Sequence, residues 1–295
     1  MDLLKRFYES LTTFEFNGCN YTEVSSSYEY KFSLPIERFE STPEVTWFLQ
    51  NYWQHTITVS VVYYLLIKSI QWAMRDRPAL VLRRPLIIWN LSLAVFSVLG
   101  FVRFGEDFVM SLAIRGVYTT VCTDPPTRGV APFWCFLFLI SKLFEMGDTL
   151  FIVLRKRPLI FLHYYHHVVV LIYTAHSGAE HATPGRAFIA MNYAAHSLMY
   201  SYYAARAIGI KPSEKVSVAI TVCQTIQMLV GVAITVWTFV VKAHLGWKCQ
   251  QSYPNLYMGF FIYFTFAFLF IQFFVNRYLK SKKRAERIEK ERKEQ

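Results

Sequence analysis

Three imidazoles fall within five residues at His163-Tyr164-Tyr165-His166-His167. In a helix the i, i+3, i+4 spacing puts them on one face, concentrated enough to bind a metal or to do acid–base and nucleophilic work. A single histidine in an apolar stretch is ordinarily a satisfied core residue, but three together are not explained that way. Upstream, Lys142, Glu145 and Asp148 recur at steps of three and share one broad side of a helix. Each costs about 2.5–3.5 kcal/mol in the middle of a membrane helix, so such residues persist where they are paired, near an interface, or used. A purely structural arrangement is a Lys142–Glu145 pair within the helix with Asp148 bonded to a neighbouring helix. Downstream, Asn192, His196, Met199 and Tyr203 follow at steps of four, three and four, an amide, an imidazole and a phenol on one stripe flanked by Tyr200 and Tyr202. Hydrogen bonding between packed helices is the alternative use of that stripe. Thr221, Gln224 and Gln227 repeat every three residues and give a further polar side, weak evidence taken alone. His176, at the end of its apolar stretch, reads as interfacial.

The elements that hold these residues follow from composition. Of 295 residues 54% are hydrophobic, 18% aromatic and 17% charged, whereas a soluble domain averages about 25% charged. A mean hydropathy of +0.26 with 26 Phe and 19 Tyr exceeds what one soluble core hides and excludes disorder. A net charge of +11 suggests nucleic acid only until its distribution is read: the basic residues sit in short clusters between apolar runs, the pattern of a membrane protein. A span needs about 17–25 apolar residues. Seven stretches qualify: Thr56–Met74, Pro85–Val102, Ala131–Leu154, Pro158–Ala175, Ala187–Ala205, Val216–Val241 and Pro254–Asn276. The expected class is therefore an all-α integral membrane protein with a segment 1–55, a transmembrane domain 56–276 and a basic tail 277–295. Arg103–Val130 is expected as a long connection whose apolar part, Phe108–Val121, lies in or dips into the interface. No soluble domain and no internal repeat is evident.

Arg75, Arg77, Arg83 and Arg84, then Arg155, Lys156 and Arg157, then Arg206, Lys211 and Lys215, and the tail from Arg277 all fall on one side of a seven-span arrangement. That side is expected to be cytosolic and the N-terminus lumenal. Met1–Thr13 lacks a continuous apolar core, so no typical signal peptide is expected. The sequon Asn20-Tyr21-Thr22 falls on the lumenal side and is available for glycosylation, whereas Asn90-Leu91-Ser92 lies inside a span and is expected to be silent. Of five cysteines, Cys122 and Cys249 share the lumenal side, where an oxidising compartment permits a disulfide; two free thiols is the alternative. Arg292-Lys293-Glu294-Gln295 resembles a dibasic retrieval signal, though a solvated helical tail accounts for most of it. Four adjacent spans with polar sides imply a polar chamber inside a helical bundle, suited to an amphipathic or lipid substrate.

These residues resemble the ELO family of very-long-chain fatty acid elongases. The matching motifs are K-x-x-E-x-x-D-T at Lys142 to Thr149, H-x-x-H-H at His163 to His167, N-x-x-x-H-x-x-M-Y-x-Y-Y at Asn192 to Tyr203, and T-x-x-Q-x-x-Q at Thr221 to Gln227. The resemblance extends over about Thr56 to Lys280, and Leu82–Leu86 and Leu93–Ser97 look like the animal subgroup acting on saturated and monounsaturated chains. It implies seven transmembrane helices in the endoplasmic reticulum, six of them forming a barrel around a tunnel. It implies, too, the condensation of acyl-CoA with malonyl-CoA to a 3-ketoacyl-CoA, carbon dioxide and CoA. No cofactor and no metal is implied. Expected partners are the two CoA substrates, membrane lipid and the reductases and dehydratase of an elongation cycle; a homodimer is permitted, and nucleic acid is not expected. None of the cysteines lies in a histidine motif, so an imidazole is left as acyl carrier. By resemblance His166 is the nucleophile and His163 and His167 tune or position it. His196 with Asn192 orients malonyl-CoA or stabilises its enolate, and Asp148 or Glu145 orients an imidazole. Lys142 and Arg155 meet the CoA phosphates, and Gln224 and Gln227, with Tyr200 and Tyr203 beside them, contact the rest of the substrate. Two other classes share features of this chain. A di-iron desaturase carries H-x-x-H-H but needs about eight histidines in three boxes, and here no second box accompanies the first; a seven-span receptor or transporter has no use for clustered imidazoles in a closed chamber.

Overall fold

The structure is a computed structural model that describes residues 2–14, 28–123 and 127–280. Among these residues every regular element is helical. Two short helices, α1 (Asp2–Thr12) and α2 (Thr42–Tyr52), precede α3 (His55–Ala73), α4 (Arg83–Cys122), α5 (Val130–Glu145), α6 (Asp148–Leu154), α7 (Phe161–Glu180), α8 (Gly185–Ile208), α9 (Glu214–Ala243) and α10 (Tyr253–Phe274), which runs on into a π-helical turn at Val275–Lys280. Local chemistry sets several of these ends. Pro43 and Pro254 sit in the first turns of α2 and α10, where a missing N–H costs nothing. Ser252 caps α10 by accepting from the Asn255 N–H at 3.3 Å.

Each predicted span is helical, with two departures. The third divides at Met146–Gly147, so Asp148 opens α6 instead of continuing the helix of Lys142 and Glu145. A Cβ on Gly147 would stand 2.7 Å from the Trp89 ring, so only glycine lets α4 approach the break. The second span does not stop at Val102: Arg103–Val130 is not a loose connection, because α4 continues to Cys122. Arg103, Glu106 and Asp107 lower its hydropathy, yet Arg103 pairs with Glu37 and Glu106 and Asp107 pairs with Arg186. Gly116, at φ +77°, kinks the last part of α4.

Helices α4, α5, α7, α10, α9 and α8 pack each against the next, and α8 closes on α4; α3 stands outside, against α6 and α7. Outward faces stay apolar, as with Val61, Leu65, Phe261 and Phe268. Among the described residues four helical stretches are long and apolar enough to cross a membrane: His55–Ala73, Arg83–Cys122, Glu214–Ala243 and Tyr253–Lys280. The chain is a multi-pass membrane protein. The other three predicted spans are those rich in polar groups, one divided at Gly147 and two, α7 and α8, carrying the histidine and asparagine motifs.

One end of the ring, the capped end, is covered by α1 and α2. His176 is not interfacial: it is 1% exposed, bonded to the Leu11 carbonyl and to Asn255, so it ties α1 to α7 and α10. Gln50 reaches the Ala179 carbonyl, and Thr46 bonds His181. Glu37 accepts from Arg103, from Trp134 Nε1 at 2.8 Å and from the Leu34 N–H at 2.9 Å. Arg103 foremost, with the Leu34 and Trp134 donors, lowers its carboxyl to about 2 against the cost of burial. Cys122 and Cys249 are joined, sulfur to sulfur at 2.11 Å, as the cysteine placement permits. The sequon Asn20 and the tail from residue 281 lie outside the described residues, whereas Asn90 is buried and donates to Leu86 O.

Candidate active site

Two cavities meet inside the ring. The wider, about 690 Å³, is lined by the imidazoles of α7 and the stripe of α8 and reaches Arg155, Arg157 and Arg206 at the end opposite the cap, here the basic end. The narrower, about 180 Å³, runs between apolar side chains to Thr42, Val45, Thr46 and Leu49 of α2 at the capped end. His166, Asn192, Gln227 and Met228 border both.

The helical spacing of α7 delivers the three imidazoles together. The rings of His163 and His167 lie 4.6 Å apart, and those of His166 and His167 5.5 Å apart. His163 Nε2 shares a 2.9 Å hydrogen bond with the Thr149 hydroxyl. Among the described residues His166 has ring contacts with His167 and Phe266 and no hydrogen bond, and it borders both cavities. A nitrogen lone pair in that position is available to whatever occupies the junction.

The charged residues of α5 and α6 take separate parts. Lys142 is 2% exposed and absent from both cavity walls. Its Nζ donates to Glu145 Oε1 at 2.7 Å and Asn192 Oδ1 at 2.9 Å, and lies 4.1 Å from the Phe138 ring centre. Contact with CoA phosphates does not fit that placement; the ammonium instead fixes the Asn192 amide. Glu145 Oε1 also accepts from Ser141 and lies 3.6 Å from His196 Nδ1, while His196 Nε2 is 3.3 Å from the Asn192 amide nitrogen. Glu145 is thus the carboxylate beside an imidazole. Asp148 is not: it accepts from Trp89 Nε1 at 2.6 Å and Tyr200 Oη at 2.7 Å, donors from α4 and α8. The structural arrangement of this trio is therefore realised, with a pair inside α5 and Asp148 bonded to neighbouring helices. Asp148 nevertheless lines the wider cavity.

Arg155 is half-buried and lines the wider cavity, as do Met199, Tyr200, Tyr203 and Gln224. Gln224 donates to Met199 Sδ at 3.3 Å. Tyr203 remains 46% exposed. Thr221 turns to Tyr278 instead of the cavity, at 3.2 Å. Residue types alone did not single out Trp89, Met228 or Tyr63, which bonds Thr149. Each sits in a stretch so apolar that one more aromatic or methionine carries no signal; only the partner found across the ring does.

The site is thus a polar chamber, with an imidazole at its junction lacking a hydrogen bond among the described residues, continuous with an apolar pocket. Residues 48–286 match the ELO family model, described as the GNS1/SUR4 family. The chain is 49% identical to "Putative fatty acid elongase 4" of Caenorhabditis elegans, over 98% of this chain and 99% of that one. It is 40% identical to "Very long chain fatty acid elongase 6" of Drosophila melanogaster, over 87% and 81%. With "Very long chain fatty acid elongase 3" of Homo sapiens it shares 35% identity over 90% and 97%. A family match over most of the length, carried by the helices that build the chamber, leaves one conclusion: the chain belongs to the ELO family.

Proposed function

We propose that this protein acts in fatty acid elongation as the condensing enzyme, a very-long-chain 3-oxoacyl-CoA synthase. The observation that carries this reading is the position of His166, bonded to nothing else among the described residues and bordering both a polar and an apolar cavity. An acyl-CoA lies with its CoA toward Arg155 at the basic end and its hydrocarbon in the apolar cavity. His166 attacks the thioester carbonyl; the C–S bond breaks, the thiolate takes the imidazole proton, and CoA leaves from a neutral acyl-imidazole. Malonyl-CoA then binds. Loss of carbon dioxide leaves the bond pair on its α-carbon as an enolate, which forms the new C–C bond at the acyl carbon and expels the imidazole, and the imidazole takes up one proton. Asn192, held by Lys142, donates to the enolate oxygen, and His196, whose Nδ1 lies beside Glu145, orients malonyl-CoA. Tyr200 and Tyr203 shape the cavity wall, and Gln224 and Gln227 bond the thioester arm. The two CoA thioesters are substrates, and the reading requires no resident cofactor or metal.

In this reading seven helices cross the endoplasmic reticulum membrane, six as a barrel and α3 outside it. The basic end faces the cytosol, where CoA is drawn in and reductases and a dehydratase take the product onward. The capped end and the Cys122–Cys249 bridge face the lumen. The test is a condensation assay with purified protein, malonyl-CoA and acyl-CoAs of graded length. Product two carbons longer, with carbon dioxide released in equal amount, is expected. Free CoA released from acyl-CoA alone, in about one equivalent, with acyl mass on His166 peptides, tests the intermediate; acyl label found only on Cys135 or Cys223 overturns it while leaving condensation intact. A tag on the C-terminus that resists protease added outside sealed microsomes overturns the orientation.

A further inference from the structure

Helix α3 stands outside the ring, yet one of its polar groups reaches the site. Tyr63 is 7% exposed, and its phenol hydrogen-bonds the hydroxyl of Thr149, which is fully buried. The same hydroxyl is 2.9 Å from His163 Nε2. Among the described residues neither hydroxyl has another partner, so two protons must serve two bonds. If Thr149 donates to Tyr63, the phenolic proton has no acceptor in an apolar interior. If Tyr63 donates to Thr149, the Thr149 proton goes to His163 Nε2 and each hydroxyl proton is used. The second arrangement satisfies both buried hydroxyl donors and leaves only the His163 N–H on the cavity side to find a partner, so it is favoured where water cannot reach the hydroxyls. Nε2 is then an acceptor, so neutral His163 carries its proton on Nδ1. Nδ1 has no partner among the described residues and is not among the fully enclosed orphan atoms, and His163 lines the wider cavity beside His166.

We propose that Tyr63 and Thr149 are positioning residues that hold His163 in its Nδ1–H form, so that His163 donates a hydrogen bond to the thioester oxygen as His166 attacks. The inference rests on the acyl-transfer reading above. No proton moves from His163: negative charge gathers on the carbonyl oxygen, the Nδ1–H stabilises it, and collapse of the adduct expels CoA thiolate. His163 thereby gains a catalytic part distinct from that of His166, and the outer helix α3 gains a reason to present a tyrosine.

Full-length protein with 15N-labelled histidine in nanodiscs tests this, the His163 signals being identified by their loss in His163→Gln. In the unmodified protein the proton is expected on Nδ1. Tyr63→Phe and Thr149→Val should both move it toward Nε2, and Thr149→Ser, which keeps the hydroxyl, should restore it. Single-turnover release of CoA from acyl-CoA should slow about tenfold or more in Thr149→Val, a fraction of the 10²–10³ that loss of an oxyanion donor costs. KM should change far less, and Thr149→Ser should recover most of the rate. His163 protonated on Nε2 in protein that does release CoA overturns the proposal alone. So does a slowed Tyr63→Phe or Thr149→Val with an unchanged tautomer, the mark of a merely structural role. Nδ1 protonation in protein that releases no CoA overturns the acyl-transfer reading and the donor role together, leaving only the hydrogen-bond relay.

Discussion

The capped end and the cavity junction draw on the same residue types, buried carboxylate, imidazole, amide and indole, and use them in opposite ways. At the cap, donors and acceptors close on one another: Glu37 accepts from Arg103, Trp134 and Leu34, and Glu180 from Ser252, while His176 bonds on both ring nitrogens. Exceptions there are Trp53 Nε1, Gln251 Oε1 and Asp107, the last with Arg186 3.4 Å away and no hydrogen bond to either oxygen. At the junction Lys142, Asp148 and one oxygen of Glu145 are bonded to neighbouring side chains, and beside them His166 has no hydrogen bond among the described residues where the two cavities meet. Buried polarity therefore does not by itself mark the site. What separates the two regions is a nitrogen left without a protein partner where a cavity passes.

The strongest way to break this contrast is to exchange the cost of a deletion between the regions. His166→Ala is expected to lower condensation by about 1,000-fold or more, as removal of a nucleophile does, with thermal unfolding in detergent nearly unchanged. Activity within tenfold of the parent would move the chemistry elsewhere. Glu37→Ala should do the reverse. It leaves the Arg103 guanidinium with only the more distant Glu106 and the Phe32 carbonyl and should cost about 3 kcal/mol of stability, read as a lowered Tm, with activity per folded molecule preserved. The Glu37 carboxyl, held at about 2 against an ordinary 4.5, sets a sign as well. Its stabilising share is fully present above about pH 5 and is lost as pH falls from 4.5 through 2. Thermal unfolding of parent and Glu37→Gln between pH 7 and 3 should therefore converge toward the acid end; curves that stay parallel would refute the linkage.

Smaller effects sharpen the comparison at the mouth of the site. Arg155→Ala should raise KM for CoA substrates about tenfold, the value of one charge-assisted hydrogen bond, and lower kcat less, because the contact is made before the transition state. An unchanged KM with a collapsed kcat would reject that part for Arg155. Smallest in expected effect is Lys142→Met, which keeps the bulk beside Phe138 but frees Asn192. It should lower kcat severalfold while KM for CoA substrates stays within twofold; a large rise in KM would return Lys142 to the phosphates.

The sequence made legible what repeats within one helix. The spacing of His163, His166 and His167, the stripe from Asn192 to Tyr203, and Cys122 with Cys249 on one side follow from periodicity and charge placement, and the cavities form around them. What could not be read depends on partners far along the chain. Arg103 ends an apolar run by hydropathy, but a bond to Glu37, 66 residues away, lets the helix go on. Gly147 looks like one small residue in an apolar segment until Trp89 arrives against it. Lys142 was expected at the phosphates because a cation reads as a surface group; its actual partners lie on its own turn and on α8. Tyr63 is one of 19 tyrosines, and only the relay to Thr149 distinguishes it.

In the proposed reading the length of α4 bears on what limits the acyl chain. Before its kink at Gly116, α4 runs about 50 Å at about 1.5 Å per residue, well beyond the hydrocarbon thickness of about 30 Å. Phe104 and Asp107, which line the apolar cavity, stand about 32–36 Å along that axis from Arg83. The far end of the cavity is closed by Thr42, Val45, Thr46 and Leu49 of α2, a roof made of protein side chains. A bilayer made thinner or thicker would tilt or strain the outer helices but would leave that roof where it is. In the proposed reading the limit on chain length is set by protein side chains and not by the thickness of the bilayer.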